Sequence, residues 1–111
     1  MSDCQKTVTL SENPHGVICM CKCCDKFSFS YKNLFLSLST DELIVYRNAL
    51  QSLKKHNFTQ SHPEGFKAVF KSAYFAGYVG FTRVEVQEIV HMIREALLLN
   101  EIHESLEKTG N

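Results

Sequence analysis

Apolar and polar residues alternate through the first third of the chain, as they do in strands with one buried face. The clearest case is residues 26–32, where Phe27, Phe29 and Tyr31 alternate with lysines and serines, and this period of two predicts a half-buried strand. Turn-forming residues such as Asn13-Pro14-His15-Gly16 separate the alternating segments. The pattern predicts one hairpin over residues 5–23 and a second over residues 26–38.

Helical periodicity begins at two places, and each is preceded by the same sequence pattern for a helix N-terminus. Ser39 is followed three residues later by Glu42, and Thr82 is followed in the same way by Glu85, which is the spacing of a capping box. Apolar residues then recur at helical intervals and predict helices over residues 40–56 and 83–107. Between the helices, residues 66–81 are rich in aromatic and β-branched residues and predict a third hairpin.

The two capping boxes and the apolar residues after them superimpose when one half of the chain is shifted onto the other, which indicates two ββα units. The expected fold is a single α+β domain of residues 1–111, in which an antiparallel sheet of five or six strands carries two helices on one face. The alternative is that any two capped strand-to-helix joins look alike, since caps are common. The fold class is the same either way.

The last helix has more apolar surface than one core requires. The apolar residues expected to face the core are Val86, Ile89, Val90, Ile93 and Leu97. At 100° per residue, Leu98, Leu99, Ile102 and Leu106 point to the opposite side of the helix. Either the helix breaks near Asn100 and the tail folds back, or the second face meets another copy of the chain. We favour a homodimer contact, because helix-forming residues continue after Asn100.

Charge and composition narrow the classes of function. Lys plus Arg and Asp plus Glu are equal at 12 each, so no long-range field attracts nucleic acid or an anionic membrane. The N-terminus has no basic start followed by an apolar run, and no aliphatic block approaches a membrane span. We therefore expect a cytoplasmic protein that binds neither nucleic acid nor membrane, and the motifs of common enzyme classes are missing from the sequence.

Four of the five cysteines fall within residues 19–24. Cys21 and Cys24 form a C-x-x-C motif, which supplies half of a tetrahedral zinc site, and Cys4 and His15 on the adjoining hairpin are candidates for the other two ligands. An odd cysteine count favours reduced thiols or metal ligands over a disulfide framework. One alternative is that Cys19, Cys21 and Cys23 are small hydrophobes on a buried strand face. Another, redox catalysis, is disfavoured because no helix follows the motif.

The C-x-x-C of Cys21 and Cys24, the aromatic strand ending near Asn33 and the acidic helix start at Glu42 resemble a family of small bacterial proteins known only as a domain of unknown function. The resemblance covers the first half of the chain. It implies a small cytoplasmic α+β protein and brings no known activity. Members often pair an early cysteine with a nearby histidine, whereas glutamine and lysine follow Cys4 here.

Two classes of function are favoured over a third, an enzyme whose site forms only at a dimer interface. The first is a non-enzymatic binding or interaction module that forms a homodimer through the last helix. The second is a zinc-binding or thiol-based protein that acts through the Cys19–Cys24 cluster. Zinc content distinguishes the two.

Overall fold

The computed structural model describes residues 7–73 and 75–109, and describes side chains as far as Leu106. Within those ranges the strands are β1 (Thr7–Asn13), β2 (Gly16–Cys21), β3 (Lys26–Tyr31), β4 (Leu34–Leu38), β5 (Lys67–Lys71) and β6 (Tyr78–Thr82). The helices are α1 (Thr40–Gln51) and α2 (Arg83–Thr109), and a 3-10 turn (Lys55–Asn57) follows α1. None of the described helices is long and apolar enough to span a membrane.

Strands β1 to β4 form an antiparallel sheet in sequence order, and β5 and β6 form a separate two-stranded sheet. The inner face of the larger sheet is apolar, with Ile18 opposite Phe29 and Met20 opposite Phe27, and all four side chains are buried. Helix α2 contacts β1 and β2, and α1 contacts β3 and β4. The expected α+β class, with two helices and antiparallel strands, is therefore confirmed.

The expected single sheet of five or six strands is wrong, because within the described ranges β5 and β6 pair with each other in a separate sheet. It joins the core through aromatic side chains instead. The rings of Phe81 and Tyr31 lie 6.2 Å apart, and those of Phe70 and Tyr46 lie 6.5 Å apart. Each helix does follow a hairpin, but only the hairpin before α1 belongs to the four-stranded sheet.

Both predicted capping boxes form. The Ser39 N–H donates to the Glu42 carboxylate at 2.8 Å, and the Glu42 N–H donates to the Ser39 hydroxyl at 3.2 Å. Thr82 and Glu85 form the same two hydrogen bonds, also at 2.8 and 3.2 Å. Helix α2 runs without a break to Thr109, so the chain does not fold back near Asn100. Each helix thus begins where the sequence places its start.

Helix α1 ends at Gln51, earlier than the predicted residue 56. The Ser52 N–H still donates to the Asn48 carbonyl, but the Asn57 side chain then accepts from the Lys54 N–H at 2.7 Å and starts a new turn. This bend lets Leu53 and Phe58 pack against the core. As a result the basic residues after Leu53 lie beyond α1 and not in its last turn.

Gly16 is required by close contact between strands β2 and β3. A Cβ atom there would collide with the Ser30 carbonyl oxygen and lie 2.9 Å from the Tyr31 Cα. We expect Gly16→Ala to lower the free energy of unfolding by about 1–3 kcal/mol, since backbone cannot move aside as a side chain does. Urea denaturation measures the change.

Gly77→Ala is the matched control for this substitution. Among the described atoms, its added Cβ would meet side-chain atoms of Phe75, at 3.3 Å and beyond, and these can rotate away. Equal destabilisation by the two substitutions would contradict the assigned role of Gly16.

Candidate functional site

The turn between β2 and β3, residues 21–25, is here called the thiol turn. Asp25 has a φ of 56°, a left-handed conformation that aspartate adopts more readily than most residues. Its N–H donates to the Cys21 carbonyl at 2.9 Å, which closes the turn. The chain reversal places the Sγ atoms of Cys21 and Cys24 2.9 Å apart.

This sulfur–sulfur distance indicates what the pair can do. A disulfide requires a separation of about 2.05 Å, and two thiolates on one tetrahedral zinc ion, each at about 2.3 Å from the metal, are about 3.8 Å apart. Small side-chain rotations reach either value from 2.9 Å. Cys24 is exposed and Cys21 is half-buried, so both sulfurs are within reach of a metal ion.

The other two predicted ligands do not join this pair among the described residues. His15 lies in the turn before β2, at the opposite end of that strand from Cys21, so the strand itself separates the two side chains. Cys4 lies outside the described residues. Within the described ranges no group of three or more His, Cys, Asp and Glu side chains is placed to hold a metal ion.

The remaining cysteines of the cluster differ from one another. Cys19 shares the outer, helix-free face of the sheet with Cys21, and its Sγ lies 3.7 Å from the Thr9 hydroxyl. Cys23 is exposed in the thiol turn and is disulfide-bonded. The interpretation of a buried strand face is therefore wrong, because Met20 and not the cysteines points into the core, and the expectation of a reduced thiol does not hold for Cys23.

The predicted second face of α2 is present, but smaller than expected. Leu98, Ile102 and Leu106 are 58 %, 45 % and 62 % exposed, and these three residues are here called the outer stripe. Leu99 instead packs against the core cluster, because it lies on the side of the helix nearer the sheet. Of the four residues predicted to form this face, three are therefore exposed.

A polar cluster that the sequence did not predict joins α2 to two turns of the sheet, and is here called the Glu88 anchor. Glu88 Oε1 accepts a hydrogen bond from the Tyr31 hydroxyl and lies 2.8 Å from His15 Nδ1. The Tyr31 hydrogen bond lowers the pKa of Glu88, with His15 acting in the same direction against the effect of burial. Burial and the neighbouring Glu88 raise the pKa of Tyr31.

Two further carboxylates on α2 bind the sheet beside this anchor. Lys32 donates to Glu85 at 2.5 Å. Burial raises the pKa of Glu85, but Lys32 and the Thr82 N–H outweigh burial, so the pKa is lowered overall. The Ser11 hydroxyl donates to Glu95 at 2.7 Å. The sequence places Glu88 and Glu95 on one helix face, which suggests a solvated surface, whereas that face in fact binds the sheet.

Comparison with known proteins places the chain in a family. Residues 3–100 match the Family of unknown function (DUF6686). The chain belongs to this family. The DUF6686 match includes both the thiol turn and the Glu88 anchor, so the resemblance noted in the first half extends through most of α2. No curated protein and no solved structure matches the chain significantly, and the DUF6686 description assigns no activity.

The lowered pKa of Glu88 predicts a dependence of stability on pH. A carboxyl with a lowered folded-state pKa contributes stability above its ordinary value of 4.5, and loses the contribution as pH falls through the folded-state value. We therefore expect Glu88→Gln to destabilise the protein at pH 7, and the difference from wild type to shrink as pH falls below 4.5. Thermal unfolding across this range measures both.

The control for this experiment is Glu101→Gln, since Glu101 is exposed on the same helix. We expect this substitution to change the stability at pH 7 far less than Glu88→Gln does, because the Glu101 side chain is exposed. A Glu88→Gln difference that stayed constant down to acidic pH would show that the ionised carboxylate is not what holds α2 to the turns.

Proposed function

We propose that this chain is a small metal-binding module in which the thiolates of Cys21 and Cys24 bind zinc. The observation that carries the proposal is the closed thiol turn, which holds the two sulfurs 2.9 Å apart at an accessible position. Thiolates are preferred zinc ligands, and a C-x-x-C in a tight turn supplies two of them. Because the turn is already closed, little conformational entropy is lost on binding.

Metal binding is a better account of the pair than catalytic thiol exchange. Reactive C-x-x-C thiols owe their low pKa to a helix N-terminus or to neighbouring positive charge. Here β3 begins directly after the turn, at Lys26, so no helix dipole acts on either sulfur. The thiol turn therefore lacks the helix N-terminus that thiol-exchange motifs use, while its two sulfurs remain suited to metal binding.

The remaining ligands of the proposed site come from other cysteines of the reduced chain. Cys4 lies three residues before Thr7, a span of at most about 11 Å, and Thr7 pairs with Cys21 across the β1–β2 ladder. Reduction also returns Cys23 to a thiol. We therefore keep Cys4 in the proposed ligand set and remove His15. The requirement for reduced thiols is consistent with a cytoplasmic location, which is also part of the proposal.

Zinc content of the reduced full-length protein tests this proposal. We expect about one zinc per chain after purification with a reductant and without a chelator. We expect Cys21→Ser and Cys24→Ser each to weaken zinc binding by at least about tenfold in a competition titration with a chromophoric chelator. Cys19→Ser is the matched control, because Cys19 lies on the same sheet face outside the turn.

Two results would overturn the metal-binding function. One is less than about a tenth of an equivalent of zinc in the reduced wild-type protein, where a tetrahedral site predicts full occupancy. The other is equal zinc affinity in wild type, Cys21→Ser and Cys24→Ser. Alkylation of the thiols in a fresh lysate, followed by mass spectrometry, shows which cysteines are reduced in the cell.

The outer stripe favours a second function, self-association into a homodimer. Its residues are spaced four apart, so they form a ridge of the kind that packs against a like ridge at a crossing angle of about −50°. The ridge is also symmetric, with a leucine four residues to either side of Ile102. A two-fold axis through Ile102 therefore sets Leu98 of one copy against Leu106 of the other, which is the self-complementarity that an isologous dimer needs.

Sedimentation equilibrium tests the dimer. We expect the wild-type chain to be dimeric at micromolar concentration, and Ile102→Glu to weaken association by at least about a hundredfold, because the charge is buried twice at the two-fold axis. Val45→Glu is the control, since Val45 is a similarly exposed apolar residue on α1, at 64 % exposure. A wild-type protein that is monomeric at the highest soluble concentration would contradict this function.

A further inference from the structure

A cleft of about 370 Å³ lies between the end of α1 and the first half of α2. One wall is the segment from Leu50 to Lys55, and the other is the α2 face that carries Arg83, Val90 and Arg94. The volume lies in the range of small-molecule sites in proteins. The cleft is separate from the thiol turn, the Glu88 anchor and the outer stripe, since it shares none of their residues.

The charge of the cleft is strongly one-sided. Lys54, Lys55, Arg83 and Arg94 line it, and no aspartate or glutamate does. None of these four cations forms an ion pair with a carboxylate in the described part of the chain, whereas Lys32 and Lys67 each do. In a chain with a net charge of zero, four positive groups that converge without a counterion form a local site for an anion.

The neutral residues that line the cleft do not neutralise its four positive charges. When the Gln51 amide is oriented with its oxygen toward Arg94, it accepts from the Arg94 Nε at 3.1 Å. This contact positions the guanidinium without neutralising it. The floor of the cleft is apolar, and includes Leu53, Phe58 and Val90, which are only partly buried. A bound molecule therefore meets cations at the rim and hydrocarbon below.

We propose that this cleft binds a phosphate monoester that carries an apolar or aromatic group. A phosphate monoester has a charge of about −1.5 to −2 at neutral pH, which matches several cations better than a single carboxylate does. Arginine binds phosphate oxygens through two parallel hydrogen bonds. The apolar part of the ligand covers Leu53, Phe58 and Val90, and this burial distinguishes such a ligand from inorganic phosphate.

The placement of Lys54 and Lys55 supports this assignment. Basic residues that follow a helix often stabilise the carbonyl end of its dipole. Here α1 ends at Gln51 and its last turn holds no basic residue, so the two lysines lie outside that helix end and line the cleft instead.

The test is a titration of the full-length protein with phenyl phosphate, followed by calorimetry and by amide NMR shifts. Inorganic phosphate and benzyl alcohol provide the charged half and the apolar half of the probe separately. We expect phenyl phosphate to bind at least about tenfold more tightly than either. We also expect the shifted amides to lie within residues 50–58 and 83–94.

Matched variants separate the two parts of the proposed site. We expect Arg94→Gln and Arg83→Gln to weaken phenyl phosphate binding by about tenfold each, since each removes a charge-assisted hydrogen bond. Arg47→Gln is the control, because the Arg47 guanidinium bonds to Asn48 on α1, outside the cleft. Phe58→Ala should reduce the preference for phenyl phosphate over inorganic phosphate while leaving the affinity for inorganic phosphate unchanged.

Three outcomes would overturn the proposal. The first is that wild type, Arg83→Gln and Arg94→Gln bind phenyl phosphate equally tightly. The second is that the shifted amides lie outside the cleft, and the third is that a short single-stranded RNA binds more tightly than phenyl phosphate. The last would identify a nucleic-acid surface in place of a small-molecule site. Zinc binding at the thiol turn is measured independently, so failure of one proposal leaves the other standing.

Discussion

The packing of α2 across the four-stranded sheet is the interaction on which the other features depend. Ile89, Met92, Ile93 and Ala96 are fully buried along one side of the helix, and a large apolar side chain contributes about 1.5–3 kcal/mol when it is fully buried. Burial of these residues fixes the rotation of α2 about its own axis. The same rotation turns the outer stripe toward solvent, Arg83 and Arg94 toward the cleft, and Glu88 toward the turns of the sheet.

Polar contacts then fix the position of α2 along the sheet. Apolar packing alone defines that position less narrowly, because it is not directional. Glu88 binds His15 in the β1–β2 turn and Tyr31 at the end of β3, and the neighbouring Glu85 binds Lys32 in the β3–β4 turn. A register shift in β1 after Thr9 turns both Leu10 and Ser11 inward. Leu10 fills the core, while the Ser11 hydroxyl reaches Glu95. A bulge that re-aims one side chain in this way is a common device at sheet edges.

Short sequence signals predict most of the helices and strands of this fold. The expected and observed structures differ mainly in which distant segments contact each other. The capping boxes at Ser39 and Thr82 and the alternation through Phe27, Phe29 and Tyr31 are properties of short segments, so the sequence shows them directly. The β5–β6 hairpin forms its own sheet and packs on the core through aromatic contacts between distant segments, such as Tyr31 with Phe81. Such contacts cannot be read from a short segment of sequence. The sequence groups His15 with the cysteines because both lie on one predicted hairpin, but the length of β2 separates them. Helical spacing places Glu88 opposite the core side of α2, and it cannot reveal that a tyrosine from another strand binds there.

The thiol turn and the Glu88 anchor lie at opposite ends of β2 and β3, and this separation gives the proposed metal a structural role. At the anchor end, polar side chains from two turns hold α2 to the sheet. At the thiol end, an open cleft of about 610 Å³ lies between α2 and the sheet, lined by Met20, Asn100 and His103 among others. A metal ion that joins Cys21 and Cys24 would fix the β2–β3 turn beside this cleft. A ligand that binds the folded chain but not the unfolded chain stabilises the fold, so zinc would stabilise the end of the sheet that the anchor does not reach.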